Sequence, residues 1–305
     1  MKDIQHLYII GNGFDLYHDL STSYKDFREY VKKYNKKLFD IVNDIYPSLI
    51  REEKNKIYSS SILWMNFEKS LAEIDQDYLW QYIHDNITPY GAEDWGDEDN
   101  FRAQHAIETF LNNLTRGLKD TLISWISSIK LETKRKGNLE FANDSFFLTF
   151  NYTKTLEKYY KIPLTDILHI HGSIDNPSSI VMGHSFFPPS ANNDWDDIRL
   201  YECEKIIDKS YFQETYKHVH DIIEANHKFF QSLKNVTNIH IIGPSMNEID
   251  FPYFKEINDN ITNKIEWDFY YYKTEDIANC LKQLHDKLHI QYERITILPY
   301  PKINE

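Results

Sequence analysis

Residues 7–15 read Leu-Tyr-Ile-Ile-Gly-Asn-Gly-Phe-Asp, an apolar run that ends in two closely spaced glycines. Such a run is typical of a buried strand followed by a tight turn. Further apolar runs end at Gly172, Gly183 and Gly243, and another ends in the polar segment at Asn151. The chain has only nine glycines in 305 residues, about half of average usage. Most of its glycine therefore lies where strands are predicted to stop, which is where open parallel α/β sheets bind ligands.

Strand and helix patterns alternate over most of the chain. Short apolar runs predict strands at 6–10, 145–150, 166–170, 179–182, 238–242, 266–272 and 293–298. Helical spacing predicts helices near 154–161, 208–234, 250–263 and 273–288. This alternation predicts an α/β protein with a Rossmann-like, mostly parallel, doubly wound sheet.

The connection after the first strand is far longer than the few residues that are usual for such loops. Residues 24–46, 59–86 and 101–136 show apolar positions at helical spacing. We therefore predict a helical cap at 24–140, inserted between the first and second strands. Because no repeat or low-complexity linker divides the chain, we expect residues 1–305 to form a single Rossmann-like domain.

The composition indicates a soluble protein and speaks against a broad surface for duplex nucleic acids, although it leaves a local basic groove open. The net charge is −13, whereas binding to duplexes draws on clustered positive charge. Cys203 and Cys280 form no CxxC pair, so a reducing cytoplasm is expected. The four apolar residues before Gly11 are too few for a signal-peptide core, and no run approaches the roughly 18 residues of a membrane span. We expect a cytoplasmic protein without membrane contact, and the His and carboxylate spacing favours no metal site.

Two glycine-containing turns are candidate nucleotide sites. Segment 11–15 follows the first strand, although a tight strand-to-helix turn would select the same G-x-G, and Leu16 stands where a dinucleotide fingerprint has its third glycine. Segment 243–247 is either a phosphate site at a helix start, which uses backbone N–H groups and the Ser245 hydroxyl, or a capped turn. The helix start is suggested by Asp250 and Pro252.

Polar side chains at other strand ends are the candidates for chemistry. Asn151 can donate and accept hydrogen bonds, as orienting a sugar hydroxyl or a water requires, although Asn151 or Thr153 would also cap the next helix. His171 changes charge near neutral pH, which suits a general base or a hydroxyl contact. On a continuous strand His169 would point the same way, and we interpret His169 as structural.

Two further residues are candidates for a pocket. Glu68 lies four residues after Trp64 on a predicted helix, so both share one face, and it is either a surface carboxylate or a pocket-facing one. His184 follows Gly183, and it either lines the same crevice or lies in a solvated loop.

On these residues the chain resembles the AbiH family of bacterial phage abortive-infection proteins. The matching segments are Ile-Ile-Gly-Asn-Gly-Phe-Asp-Leu at 9–16, Thr-Ser-Tyr-Lys-Asp-Phe at 22–27, Trp64 to Glu68, Phe-Asn-Tyr-Thr at 150–153, His-Ile-His-Gly at 169–172 and Gly-His at 183–184. They cover nearly the full length. The family in turn is similar to sirtuin-type domains, whose NAD pocket uses a Gly-Ala-Gly turn, a Gln-Asn-x-Asp segment, a His-Gly and a Gly-x-Ser turn in the order found here.

The resemblance implies an antiphage effector that hydrolyses NAD. Asn151 would hold the catalytic water or the ribose, His171 would contact or deprotonate the nicotinamide ribose, and the glycine turns would hold the pyrophosphate. The cofactor-binding residues implied in this way are Gly11, Asn12, Gly13, Phe14, Asp15, Thr153, Gly243 and Ser245. Thr153 and Asn12 depart from the Asp and Ala of sirtuins, and the four-cysteine zinc module of the deacetylases is missing, which argues against deacetylation. NAD is then the substrate, and no metal is expected.

On this view the helical cap closes over NAD and holds the enzyme inactive until a phage-derived trigger arrives. The trigger and any homo-oligomer are left open. Two other functions fit the same residues. The first is a non-catalytic sensor that binds NAD or a related nucleotide and acts through partners. The second is a toxin that processes nucleotides or RNA, which the negative net charge disfavours.

Overall fold

The computed structural model describes residues 4–49, 64, 66–93, 95–132, 139–186 and 195–301. Its strands are β1 (His6–Ile10), β2 (Ser145–Thr149), β3 (Ile167–His169), β4 (Asn238–Ile242), β5 (Glu266–Tyr271) and β6 (Ile295–Pro299). They form one sheet in the order β3-β2-β1-β4-β5-β6, and every neighbouring pair is parallel. This is the strand order of the Rossmann fold, which reverses between β1 and β4. The predicted α/β class with a parallel sheet is confirmed.

Twelve α-helices accompany the sheet in the described residues. They are α1 (Asn12–Tyr17), α2 (Tyr24–Tyr34), α3 (Lys36–Ile45), α4 (Phe67–Ser70), α5 (Gln76–Asp85), α6 (Arg102–Ser128), α7 (Thr155–Tyr160), α8 (Ile198–Ile207), α9 (Val219–Ala225), α10 (His227–Ser232), α11 (Phe251–Asn260) and α12 (Glu275–Leu288). The predicted helix at 24–46 divides at Asn35, whose side chain accepts a hydrogen bond from the Leu38 amide and caps α3. None of these helices combines the length and the apolar content that a membrane-spanning helix needs.

The chain divides into two compact units. The sheet unit comprises Met1–Ser23, Ile126–Val181 and His218–Glu305, and the helical unit comprises Tyr24–Trp125 and Met182–Lys217. The helical unit begins where the predicted cap begins, but it ends at Trp125 rather than at 140 and takes in a second, later segment. Whether the chain forms a single domain stays a prediction.

Apolar side chains cover both faces of the sheet. Ile9 of β1 and Ile241 of β4 belong to one buried cluster, whereas Tyr8 and Ile10 of β1 belong to the other. A parallel sheet that is buried on both faces reads as continuous apolar runs, which is why its strands were recognisable in the sequence.

The apolar run at 179–182 was wrongly predicted to be a strand. Pro177–Ser179 forms a single 3-10 turn, and Val181 N then donates to the His171 carbonyl at 2.9 Å. Gly172 has a φ of +84°, and a Cβ there would lie 2.2 Å from the carbonyl oxygen that ends this turn. The run therefore folds back against the turn after β3 and does not join the sheet.

The helix predicted at 59–86 is not continuous: its described residues form α4 and α5, with a 3-10 turn and a short connection between them. Residues 50–63 and 65 lie outside the described residues. Trp64 precedes α4 and has a φ of +67°, a left-handed conformation that bulky residues rarely adopt. Trp64 and Glu68 therefore do not share a helix face, and that expectation was wrong.

Candidate functional site

The turn after β1 and the turn after β4 pack backbone against backbone. Gly13 N donates to the Gly243 carbonyl at 2.9 Å, and a Cβ on Gly13 would lie 2.7 Å from the Gly243 Cα. A Cβ on Gly11 would lie 2.2 Å from the Pro244 Cα. Glycine at these positions is therefore required by the contact between two protein turns, at the place where the strand order reverses.

This contact occupies amides that a phosphate would otherwise use. Gly13 N is bonded to Gly243, and Phe14 N donates to the Gly11 carbonyl at 2.9 Å. Ser245 is exposed, but α11 begins only at Phe251, so Ser245 is not at the helix start on which its phosphate role relied. The pyrophosphate role of both turns stays a prediction, and it would need other groups, such as the side chains of Asn12 and Ser245.

Asn151 follows β2 and is held on three sides. Its N–H donates to Thr149 Oγ1 at 3.1 Å, its side-chain Nδ2 donates to the Gly11 carbonyl at 3.1 Å, and its own carbonyl lies 3.0 Å from His169 Nδ1. The residue is 8% exposed. The N-cap position of α7 is Lys154, with no side-chain capping bond. The Asn151 amide thus ties the end of β2 to the end of β1 and does not cap α7.

His169, interpreted above as structural, contacts the backbone carbonyl of Asn151. Because a carbonyl oxygen only accepts, His169 Nδ1 carries the proton of the bond to Asn151. The other ring nitrogen, Nε2, lies 3.0 Å from Glu157 Oε1. β3 ends at His169, so His171 lies in the following turn. The two histidines therefore do not continue the strand alternation considered for them, and they contact different partners.

Asp15, in the first turn of α1, is a buried carboxylate that is 1% exposed. Its Oδ2 accepts a hydrogen bond from Thr153 Oγ1 at 2.6 Å, and the same hydroxyl lies 3.1 Å from Thr155 Oγ1. Burial raises the pKa of Asp15 to about 6, while hydrogen bonds from Thr153, Thr155 and Asn151 oppose the rise. Thr153 therefore binds the carboxylate and does not cap α7.

His171 faces another carboxylate. Its Nε2 lies 3.5 Å from Oδ1 of Asp250, the residue that precedes α11. The imidazole packs against the rings of Phe150 and Tyr253, with centroid distances of 5.2 and 5.5 Å. Phe150 directly precedes Asn151, so both candidate catalytic residues are anchored at the end of β2. The sequence indicates Asp250 only as a helix start and gives no sign of its pairing with His171.

The helical unit contains the two pocket candidates. Lys217 is 0% exposed, and its Nζ lies 3.1 Å from Glu68 Oε2. His184 Nε2 lies 3.1 Å from Thr215 Oγ1, and burial lowers the pKa of His184 to about 4, so its ring is neutral at pH 7. Lys217 was not identifiable from the sequence, and a pocket role for Glu68 and His184 stays a prediction.

The sheet unit thus offers an amide after β2, an imidazole after β3 and two carboxylates, one after β1 and one directly before α11. Such a set can orient a hydroxyl or a water through Asn151 and accept a proton through His171. Among the described residues, no group of three or more His, Cys, Asp or Glu side chains is placed to hold a metal ion.

The sequence model of one protein family, described as bacteriophage abortive infection AbiH, matches residues 7–271. This range contains every candidate residue described above. No curated protein and no solved structure matches the chain significantly. The matched range covers well over half of the sequence and agrees with the resemblance of the short motifs. The chain therefore belongs to the AbiH family of bacteriophage abortive infection proteins.

Proposed function

We propose that this protein is an abortive-infection effector that hydrolyses NAD at the N-glycosidic bond between nicotinamide and ribose. Family membership supports the abortive-infection role. The environment of Asn151 is the observation that carries the enzymatic part. Because Nδ2 is held by the Gly11 carbonyl, the amide oxygen Oδ1 is the atom that can accept a hydrogen bond from a ribose hydroxyl or a water.

The proposed reaction needs positioning and electrostatics more than covalent catalysis. Nicotinamide leaves as a neutral molecule when the bond between its ring nitrogen and the ribose C1′ breaks, and the electron pair goes to that nitrogen. The sugar becomes oxocarbenium-like, the oxygen of a water bonds to C1′, and the water's proton passes to a base. A pre-organised site lowers this barrier by holding the water and compensating the developing charge.

Each role falls to a residue with suitable surroundings. Asn151 orients the water or a ribose hydroxyl. His171 accepts the proton, and Asp250, 3.5 Å from its Nε2, stabilises the imidazolium that forms. The order of the Asn151, His171 and Gly243 motifs, which is that of sirtuin NAD pockets, supports NAD as the dinucleotide.

The proposed catalytic side chains are nearly buried. Asn151 is 8% exposed and His171 is 3% exposed. We therefore expect the site to open before a substrate as large as a dinucleotide contacts both side chains. This closed state supports an enzyme that is latent until a phage-derived trigger arrives, as an effector that consumes NAD must be if its host is to survive.

The test is to incubate the purified protein with NAD, alone and with a lysate of phage-infected cells, and to measure nicotinamide release. We expect release from wild type in the presence of the trigger, and release at least about 100-fold lower from Asn151→Ala and His171→Ala. Asn113→Ala and His227→Ala are the matched controls, because they change exposed residues of the same types. Both should behave as wild type.

Two outcomes would contradict the proposal. The first is no nicotinamide release from wild type under either condition, and the second is undiminished release from Asn151→Ala and His171→Ala. If NAD raised the melting temperature of wild type without being cleaved, the result would favour the nucleotide sensor, since a ligand that binds the folded state stabilises it.

A further inference from the structure

Asp15 occupies an unusual position for a carboxylate in an α/β protein. It lies in the first turn of α1, directly after the Gly11–Gly13 turn, and it is 1% exposed. Carboxylates are almost never fully buried unless they are paired. No cation contacts this one among the described residues. Instead, the Thr153 hydroxyl donates to Oδ2 at 2.6 Å.

The surroundings of the second carboxylate oxygen suggest why Asp15 is buried. Oδ1 of Asp15 is buried and has no hydrogen-bond partner of good geometry in the described parts of the chain. The side-chain amide of Asn151 is nevertheless close enough to stabilise the charge. A buried, incompletely satisfied polar atom in a native protein requires an explanation, and the proposed catalytic amide is one of the polar side chains that interact with this carboxylate.

An asparagine amide can rotate by half a turn about its last bond at little steric cost, which exchanges its donor and acceptor ends. Around Asn151, the Gly11 carbonyl accepts from Nδ2 at 3.1 Å, and the Asp15 carboxylate can only accept when ionised. Two acceptors on one side force the NH2 group towards them. The amide oxygen is then directed to the opposite side, where a substrate hydroxyl or a water can donate to it.

We propose that Asp15 is a positioning residue that fixes the orientation of the Asn151 amide and so presents its oxygen as a hydrogen-bond acceptor to the substrate. This inference rests on the proposed function in one respect, the role given to Asn151. The segment 11–15 then serves the uncharged or cationic end of the ligand, where the sugar hydroxyls and nicotinamide lie. A pyrophosphate beside an ionised, buried carboxylate would be repelled.

The direct test is NMR spectroscopy of the asparagine side-chain amides in the full-length protein, without NAD. The Asn151 resonances are assigned by their loss in Asn151→Ala. Because burial raises the pKa of Asp15 to about 6, we expect the wild-type Asn151 amide signals to shift with a single titration between pH 4 and 8. The shift should be lost in Asp15→Asn and retained in Asp259→Asn, which changes an exposed carboxylate.

An Asn151 signal that does not titrate in wild type would overturn the inference without any variant, so a poorly folded Asp15→Asn would not leave it untested. Persistence of the titration in folded Asp15→Asn would overturn it as well. Kinetics supply the second readout: Asp15→Asn should lower kcat for nicotinamide release by about tenfold or more, with KM nearly unchanged. A changed KM with an unchanged kcat would contradict positioning.

The two proposals fail in different ways. If NAD is not hydrolysed but the Asn151 amide titrates with Asp15, the coupling of the two side chains stands and only the reaction is wrong. If NAD is hydrolysed and the amide is insensitive to Asp15, the reaction stands and the positioning role is wrong.

Discussion

At the scale of single residues, the ionised Asp15 carboxylate is expected to lower the free energy of unfolding of this protein. Its pKa is about 6 in the folded chain, against an ordinary value of 3.8, so the folded state binds this proton more tightly than the unfolded state. The stability that the protonated carboxyl provides is therefore present at low pH and is lost as the pH rises through 6. At about 1.4 kcal/mol per unit of pKa, the ionised carboxylate costs roughly 3 kcal/mol above pH 7.

Asp15→Asn should consequently be more stable than wild type at pH 8, by up to roughly 3 kcal/mol, and the gain should shrink as the pH is lowered towards 4. Urea unfolding at several pH values measures both quantities. A variant that gains stability while it loses activity is the expected signature of a functional residue in an unfavourable place. Equal destabilisation at pH 8 and pH 4 would show that the carboxylate is a structural contact.

His169 supports a second prediction, which depends on its contact with the Asn151 carbonyl. In His169→Asn, the side-chain NH2 can take the place of Nδ1, whereas the contact with Glu157 is lost. His169→Ala loses both contacts. Under conditions where wild type releases nicotinamide, we expect His169→Asn to retain activity within about threefold and His169→Ala to lose about tenfold or more. Equal losses in the two variants would assign the effect to Glu157.

The candidate residues were predictable only in part. Asn151 and His171 stand at the ends of recognisable apolar runs, and such positions point to function in a parallel sheet. Their partners were not predictable. Asp15 is distant in sequence from Asn151, and Asp250 is distant from His171, so each pair comes together only when the strands pair. The contact of His169 was not predictable for the same reason, since its partner is the Asn151 carbonyl directly after the neighbouring strand.

At the scale of elements, α7 ends in a way that can be improved. Lys161 occupies its C-cap with φ +57° and ψ +28°, the left-handed conformation. Glycine adopts this conformation without the steric cost that a Cβ imposes. Lys161→Gly should therefore raise the free energy of unfolding by about 0.5–1 kcal/mol. Lys158→Gly, inside the same helix, should lower it by about 1 kcal/mol, and denaturant unfolding of both variants compares the two effects.

The elements that were predicted wrongly share a physical cause. The run at 179–182 has the composition of a strand, but the 3-10 turn before it directs the chain back to the turn after β3 instead of along the sheet edge. Trp64 has helical spacing to Glu68, yet its backbone is left-handed. In both cases a local backbone turn overrides the hydrophobic pattern, and periodicity does not report such turns.

At the scale of the whole molecule, the net charge of −13 gives opposite salt dependences for the competing functions. NAD is an anion, so the protein repels it at long range, and this repulsion is screened as the Debye length falls from about 30 Å at 0.01 M salt to about 8 Å at 0.15 M. We expect KM for NAD to fall modestly, by about twofold, over this range. An RNA-processing toxin would instead bind more weakly as salt rises. Nicotinamide-release kinetics and RNA filter binding at both salt concentrations check this.

The architecture itself was predictable as a class but not as an arrangement. Alternating strands and helices indicate a parallel sheet, whereas the order β3-β2-β1-β4-β5-β6 depends on where each crossover places its strand. The membership of Met182–Lys217 in the helical unit is a further example. The contact of Lys217 with Glu68 joins this segment to Tyr24–Trp125. Nothing in the local sequence of either segment predicts such a contact.

The backbone contact between the turns after β1 and β4 also constrains which changes this protein can accept. A side chain at Gly11 or Gly13 would collide with main-chain atoms of the other turn. A substitution in that other turn cannot relieve the collision, because every residue has these main-chain atoms. One turn can therefore be remodelled only if the other moves with it. Insertions and new side chains are consequently expected to be tolerated better in the long connection between β1 and β2 than in these two distant turns, which can change only together.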